Sequence, residues 1–268
     1  MLERVTDLSA TNWIRKTVLS MENFASRGGN YVEHCIPAIY EAYGKIFHNM
    51  YEDTSVDNKT VTWDDLHKQK PVDLGDPLQT VLHDATKVYG GECEKDPDKL
   101  IRIRWKELSD RYGLQYHADL NVESFTRSFP TQSWPRYLTG PDEGMLEGST
   151  CKEIVRSIAT ATSDFDLSQE CFFLYDLIAT TNYESDLLYR GRLKSVFDTY
   201  QLDDISSTPT YWWPIDQTWL VCTDWDLPFT LIGGSEKLIS TIMSNHELEC
   251  LPVAPTNRID YKSDTINR

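Results

Sequence analysis

Apolar positions recur in two patterns along the chain. Over 12–18 (NWIRKTV) they alternate, which predicts a first strand, whereas Ile36, Ile39, Tyr40, Tyr43, Ile46 and Phe47 fall on helical spacing. The residues of 38–48 are rich in β-formers, so the segment stays ambiguous between the two, with the spacing favouring helix. Thr62, three residues before Asp65, resembles a capping box for a short helix over 62–70 that Pro71 closes. At Asp76-Pro77-Leu78-Gln79 a cap, an N1 proline and an N3 glutamine agree, and Leu78, Val81, Leu82, Ala85 and Val88 form one stripe ending before Gly90-Gly91. That pattern predicts a helix over 77–89.

Gly, Pro and charge mark 90–99 and 128–148 as loops. Thr150 with Glu153 opens a predicted helix over 150–162, whose apolar face is Ile154, Val155, Ile158 and Ala161. CFFLYDL (171–177) is too short for a helix and reads as a buried strand. From Tyr211 to Val253 the pattern gives strands at YWW, TWLVCT, FTLI and ELECLPV. A Pro214–Gln217 turn joins the first two, and GSEKLISTIMSN is a helix with Leu238, Ile239, Ile242 and Met243 on one side. Local hairpins mixed with helices, without strict βαβ alternation, predict an α+β fold with a mixed, largely antiparallel sheet and packed helices. A chain of 268 residues suits one domain, or two intimately packed lobes meeting near 140–148.

Composition adds a compartment and excludes classes. With 40% hydrophobic residues, 14 Tyr, 9 Phe and 8 Trp, the chain is far from disordered compositions. Its apolar runs are short and its N-terminus is charged, so neither a membrane span nor an export signal is expected. Six cysteines (Cys35, Cys93, Cys151, Cys171, Cys222, Cys250) lie far apart with no CxxC, as expected of reduced thiols in a cytoplasmic protein.

The net charge is −16, and it is uneven. Residues 1–134 carry 21 acidic and 16 basic side chains, while 135–268 carry 21 and 10. Between Lys194 and Arg258 the only basic residue is Lys237, against nine acids: Asp198, Asp203, Asp204, Asp216, Asp224, Asp226, Glu236, Glu247 and Glu249. Such a stretch repels phosphate backbones, so no nucleic acid is expected as a partner, and a basic protein is its natural complement.

Catalytic signatures are missing from the sequence. Gly233-Gly234-Ser235 leads from a strand into a helix, yet neither GxxxxGK[ST] nor GxGxxG is present, and Glu236 would oppose a phosphate, so a tight turn is the expectation. The histidines His34, His48, His67, His83, His117 and His246 form no HExxH, there is no GxSxG elbow, and no cofactor is expected. Among them His48, following an aromatic stripe, is the first worth testing. Asp224-Trp225-Asp226 resembles the DxD pairs that hold a divalent metal in nucleotide-sugar transferases, which makes a metal-dependent transferase or hydrolase the alternative reading. In a chain with 42 carboxylates such a triplet also arises by chance, and the primary expectation is no metal.

Trp212, Trp213, Trp219, Trp225 and Phe229, interleaved with Asp216, Asp224 and Asp226, form the most unusual segment. Large aromatics dominate interface hot spots, and carboxylates around them select a cationic partner; equally, alternate aromatics fill sheet cores. The first reading assigns partner binding to Asp216, Trp219, Asp224, Trp225 and Asp226.

WIRK (13–16), YEAYGKIFH (40–48), the run from Tyr211 to Ile239, LEC and RIDYKSDTIN resemble a widespread group of uncharacterised bacterial proteins. That group is marked by EAY-x-x-(I/V)-(L/F)-H and WWP-x-D-x-x-W-x-V-x-T-D-x-D…GGS, and where it has HP this chain has His48-Asn49. In general character the chain is similar to immunity proteins of polymorphic toxin systems. This implies a cytoplasmic antitoxin that occludes the active site of a cognate toxin.

Overall fold

The computed structural model describes residues 2–18, 28–65, 97–162 and 167–268. In chain order they form β1 (Glu3–Val5), α1 (Asn12–Thr17), β2 (Ala42–Phe47), β3 (Met50–Asp53) and β4 (Leu100–Ile103). These are followed by α2 (Trp105–Tyr112), α3 (Val122–Ser128), β5 (Leu138–Thr139), α4 (Gly148–Thr162), β6 (Glu170–Tyr175) and β7 (Leu187–Arg192). The C-terminal part supplies β8 (Tyr211–Pro214), β9 (Leu220–Cys222), β10 (Phe229–Gly234), α5 (Glu236–Met243) and β11 (Cys250–Val253). The fold is α+β, and every strand pairing among the described residues is antiparallel.

The chain divides into two compact units. The first comprises Met1–His48 and Asp142–Ser263, and the second Asn49–Pro141 and Asp264–Arg268. The first unit is an eight-stranded sheet in the order β1-β7-β6-β8-β9-β10-β2-β11. On one face Ile154, Val155 and Ile158 of α4 and Leu238, Ile239 and Ile242 of α5 share a core with Phe173, Trp212, Val221 and Ile232. On the other, Ile14 of α1 joins Val32, Ile36, Trp213, Leu220 and Leu231. Because both faces are covered, adjacent residues such as Trp212 and Trp213 are both buried, one on each side.

That double burial explains the segment 38–48. Tyr43 to Phe47 are all buried in β2, a central strand paired with β10 and β11, so no polar alternation marks it and its helical spacing is coincidental. The opposite correction applies at 12–18, a helix rather than a strand. Asp7 caps a 3-10 turn over Leu8–Thr11 by accepting from the Ser9 N–H at 2.9 Å, and α1 continues that turn. Trp13 then meets Trp213 edge-on at 6.0 Å while Ile14, its neighbour, enters the core.

The predicted Pro214–Gln217 turn is closed by the Gln217 N–H donating to the Pro214 carbonyl at 2.9 Å, and β8 and β9 pair as a hairpin. Helix α4 starts two residues earlier than predicted. Glu153 does not cap it, but accepts from Arg156 and from Asn245 (3.2 Å), while the predicted apolar face is buried. Gly233 and Gly234 are strand residues rather than a turn. A Cβ on Gly233 would lie 2.4 Å from Cδ2 of Tyr40, so lack of bulk is what that position requires, and Ser235 caps α5 through the Leu238 N–H.

The second unit has the sheet β4-β3-β5 and an aromatic core in which Phe129 and Phe125 meet Trp134 at 5.1 and 6.5 Å. Thr62 and Asp65 form the predicted reciprocal cap, with Thr62 Oγ1 donating to Asp65 Oδ2 at 2.8 Å and accepting from the Asp65 N–H at 3.2 Å. The rest of helix 62–70, the predicted helix 77–89, Cys93, His67 and His83 lie outside the described residues. Asp264 ties the C-terminal residues to α3, accepting from Ser124 Oγ at 2.5 Å and from the Ile266 and Asn267 N–H groups at 2.9 Å each.

Candidate functional site

Antiparallel pairing brings the end of β6, the starts of β7, β8 and β10, and the ends of β9 and β2 to one end of the large sheet. The connections gathered there are 176–186, 202–210, 223–228 and, from the chain after the second unit, 142–147. They are locked to one another by short polar side chains. Thr210 Oγ1 accepts the Asp176 N–H at 3.2 Å, and the Thr210 carbonyl accepts the Thr223 N–H at 2.9 Å. Thr223 Oγ1 lies 2.8 Å from Thr230 Oγ1, and Thr230 Oγ1 lies 3.0 Å from Nε2 of His48.

His48 ends this chain of hydroxyls. Its Nδ1 lies 2.6 Å from the Asp142 carbonyl, an acceptor only, so Nδ1 carries the hydrogen and Nε2 accepts from Thr230. Burial pushes the imidazole down to about 4, against the opposing pull of the Asp142 carbonyl and the charge of Glu147. At neutral pH it is an uncharged strut.

Above the strut sits the β9–β10 connection. Asp224 accepts the Asp226 N–H at 3.3 Å, the Leu227 N–H donates to the Asp224 carbonyl at 3.1 Å, and the Gly144 N–H donates to the Leu227 carbonyl at 3.2 Å. Gly144 has φ +64°, and a Cβ there would lie 2.5 Å from the Trp225 Cα, so the two backbones touch. Ser207 Oγ donates to the Gly144 carbonyl at 2.6 Å. The main chain of Trp225 is thus packed against Gly144 while the residue is 52% exposed.

The acidic residues here are Asp142, Glu143 and Glu147, Asp176, Glu184 and Asp186, Asp203 and Asp204, and Asp224 and Asp226. Burial, then the hydrogen bond and charge of Asp226, push Asp224 up to about 8, so at pH 7 Asp224 holds a proton in contact with Asp226. Burial likewise raises Asp176. Asp186 is paired with Arg15, and Asp204 accepts from the Tyr189 hydroxyl at 2.9 Å with Arg4 at 3.6 Å. Leu177, Ile178 and Met145, on the same connections, are exposed apolar side chains.

Two of the sequence-predicted residues lie elsewhere. Trp219 is 0% exposed, in the core against Trp212 at 5.7 Å with its indole N–H donating to Gln169 Oε1 at 3.3 Å, so it offers no surface to a partner. Asp216 is exposed at the opposite end of β9, where it accepts from Thr218. Only Asp224, Trp225 and Asp226 are brought together. Sequence reading missed Gly144, Asp176 and the threonines beneath, whose roles depend on contacts dozens of residues apart.

Burial pushes the Cys151 and Cys250 thiols up to about 12, away from the reactive thiolate. Ser124 and His117 each contact Asp264, and the serine hydroxyl meets the carboxylate rather than the imidazole, which is not the order of a serine-histidine-aspartate triad. Among the described residues, no three His, Cys, Asp or Glu side chains converge to hold a metal ion. No helix among them is long and apolar enough to cross a membrane. No protein-family model, curated protein or solved structure matches the chain.

Proposed function

We propose that the chain is a binding protein, an immunity protein acting in the bacterial cytoplasm, whose Asp224-Trp225-Asp226 loop inserts into the basic active site of a toxin. The observation that carries this reading is Trp225: a large aromatic, half exposed, on a main chain fixed by Gly144 and flanked by carboxylates. Rigid exposed aromatics lose little conformational entropy on binding and anchor interfaces, and the exposed Asp226 beside Trp225 favours a cationic counterpart. A preformed loop of this kind fits an inhibitor that binds without rearranging.

Co-expression with the product of the neighbouring reading frame tests it. That product alone should arrest growth, and this chain should restore it. With the purified pair, Trp225→Ala should weaken binding by about 2 kcal/mol, roughly thirtyfold. A harmless neighbour that does not bind, or a complex that tolerates both Trp225→Ala and Asp226→Lys, overturns the proposal.

A further inference from the structure

At the opposite end of the same sheet, a groove of about 520 Å³ opens between the first turns of α5, the start of β2 and the end of β11. That volume lies within the range of small-molecule sites. Its lining includes Tyr40, Tyr43, Ile239 and Met243, the last 42% exposed.

Two carboxylates, Glu41 and Glu236, line the groove, and among the described residues no Lys, Arg or His does. A helix N-terminus would ordinarily invite an anion. Here two of those N–H groups are already engaged, that of Glu236 by Glu41 Oε2 at 3.2 Å and that of Leu238 by Ser235 Oγ at 3.2 Å, and the two carboxylates repel a second anion. A peptide strand added along β11 is also disfavoured. The Phe47 N–H donates to the Glu249 carbonyl, so by antiparallel alternation Pro252 faces away from β2, and there it has no N–H to offer.

We propose that this groove binds a small primary ammonium compound with an apolar chain, the chain against the tyrosines, Ile239 and Met243 and the ammonium between Glu41 and Glu236. The ammonium supplies donors for the two carboxylates, whose charge it complements. The site is independent of the toxin-binding reading.

The test is a titration of the isotope-labelled full chain, followed by amide resonances, with hexylammonium, hexanoate and hexanol as probes. Hexylammonium should move the resonances of Glu41, Ser240 and Val253 and saturate on the order of millimolar. Hexanoate should bind about tenfold more weakly, and the double variant Glu41→Gln with Glu236→Gln should weaken hexylammonium about tenfold while leaving hexanol unchanged. Glutamine keeps the side-chain oxygen that accepts the Glu236 N–H, so the fold is retained. Hexanoate binding as well as hexylammonium, indifference of hexylammonium to the double substitution, or no movement of these resonances with any probe overturns the proposal.

Discussion

His48 stays neutral because burial excludes water from it, against the opposing pull of the Asp142 carbonyl, and this neutrality has a price in acid. Its folded value of about 4 lies below the unfolded 6.5, so the unfolded chain binds the extra proton between those values. The stability it contributes is complete above pH 6.5 and is lost as pH falls towards 4, by on the order of 3 kcal/mol. Denaturant unfolding at pH 7.5 and 4.5 should show His48→Gln destabilised at the higher pH, with the difference from the natural chain shrinking at the lower. Asp224 works in the opposite sense. An acid raised to about 8 binds its proton in the folded state, so its stabilisation is present in acid and is lost as pH rises through 8. Asp224→Asn mimics the protonated form, and its melting temperature relative to the natural chain should rise between pH 6 and 9. A constant difference across that range would show that Asp224 is ionised throughout. None of this was legible in the sequence, where Trp219 and Trp225 look alike beside their aspartates. Their fates differ because one precedes β9 within the core and the other lies in the turn after it.

At the level of elements, the connection 142–147 is fixed by one residue. Gly144 adopts a left-handed φ, and its Cα faces the Trp225 backbone, so Gly144→Ala incurs both backbone strain and a contact of 2.5 Å. It should cost about 1–3 kcal/mol by denaturant midpoint and should shift the emission of Trp225. An unchanged midpoint would mean that the two loops are not locked together. The elements read correctly from sequence, β6, β8 to β11, α4 and α5, are those whose pattern is local: a short apolar run, a four-residue turn, one stripe. The segment of β2 stays ambiguous in the sequence, leaning to helix, because a strand covered on both faces has no period-2 signal, and α1 reads as a strand because a single buried residue, Ile14, beside a half-buried tryptophan imitates alternation. The α+β class survived both errors, since it follows from the hairpins.

At the scale of the whole sheet, the acidic stretch between Lys194 and Arg258 does not form one surface. Asp203, Asp204, Asp224 and Asp226 belong to connections at the end where β9 stops, while Asp216 and Glu236 lie where it starts. Charge reversals at the two ends therefore separate local recognition from the effect of net charge. If the Trp225 end meets a basic partner, Asp226→Lys places like charges at the contact and should slow association about tenfold at low salt, as well as speeding dissociation. Asp216→Lys makes the same change in net charge at the far end, where separation and screening weaken its influence, and should leave the rate within about twofold. Both variants should melt with the natural chain, because surface substitutions shift stability by about 0.5 kcal/mol or less. Stopped-flow association at two salt concentrations reads the difference directly. Equal slowing by the two reversals would mean that net charge alone steers the partner, and the Asp224-Trp225-Asp226 loop would lose its claim to the interface.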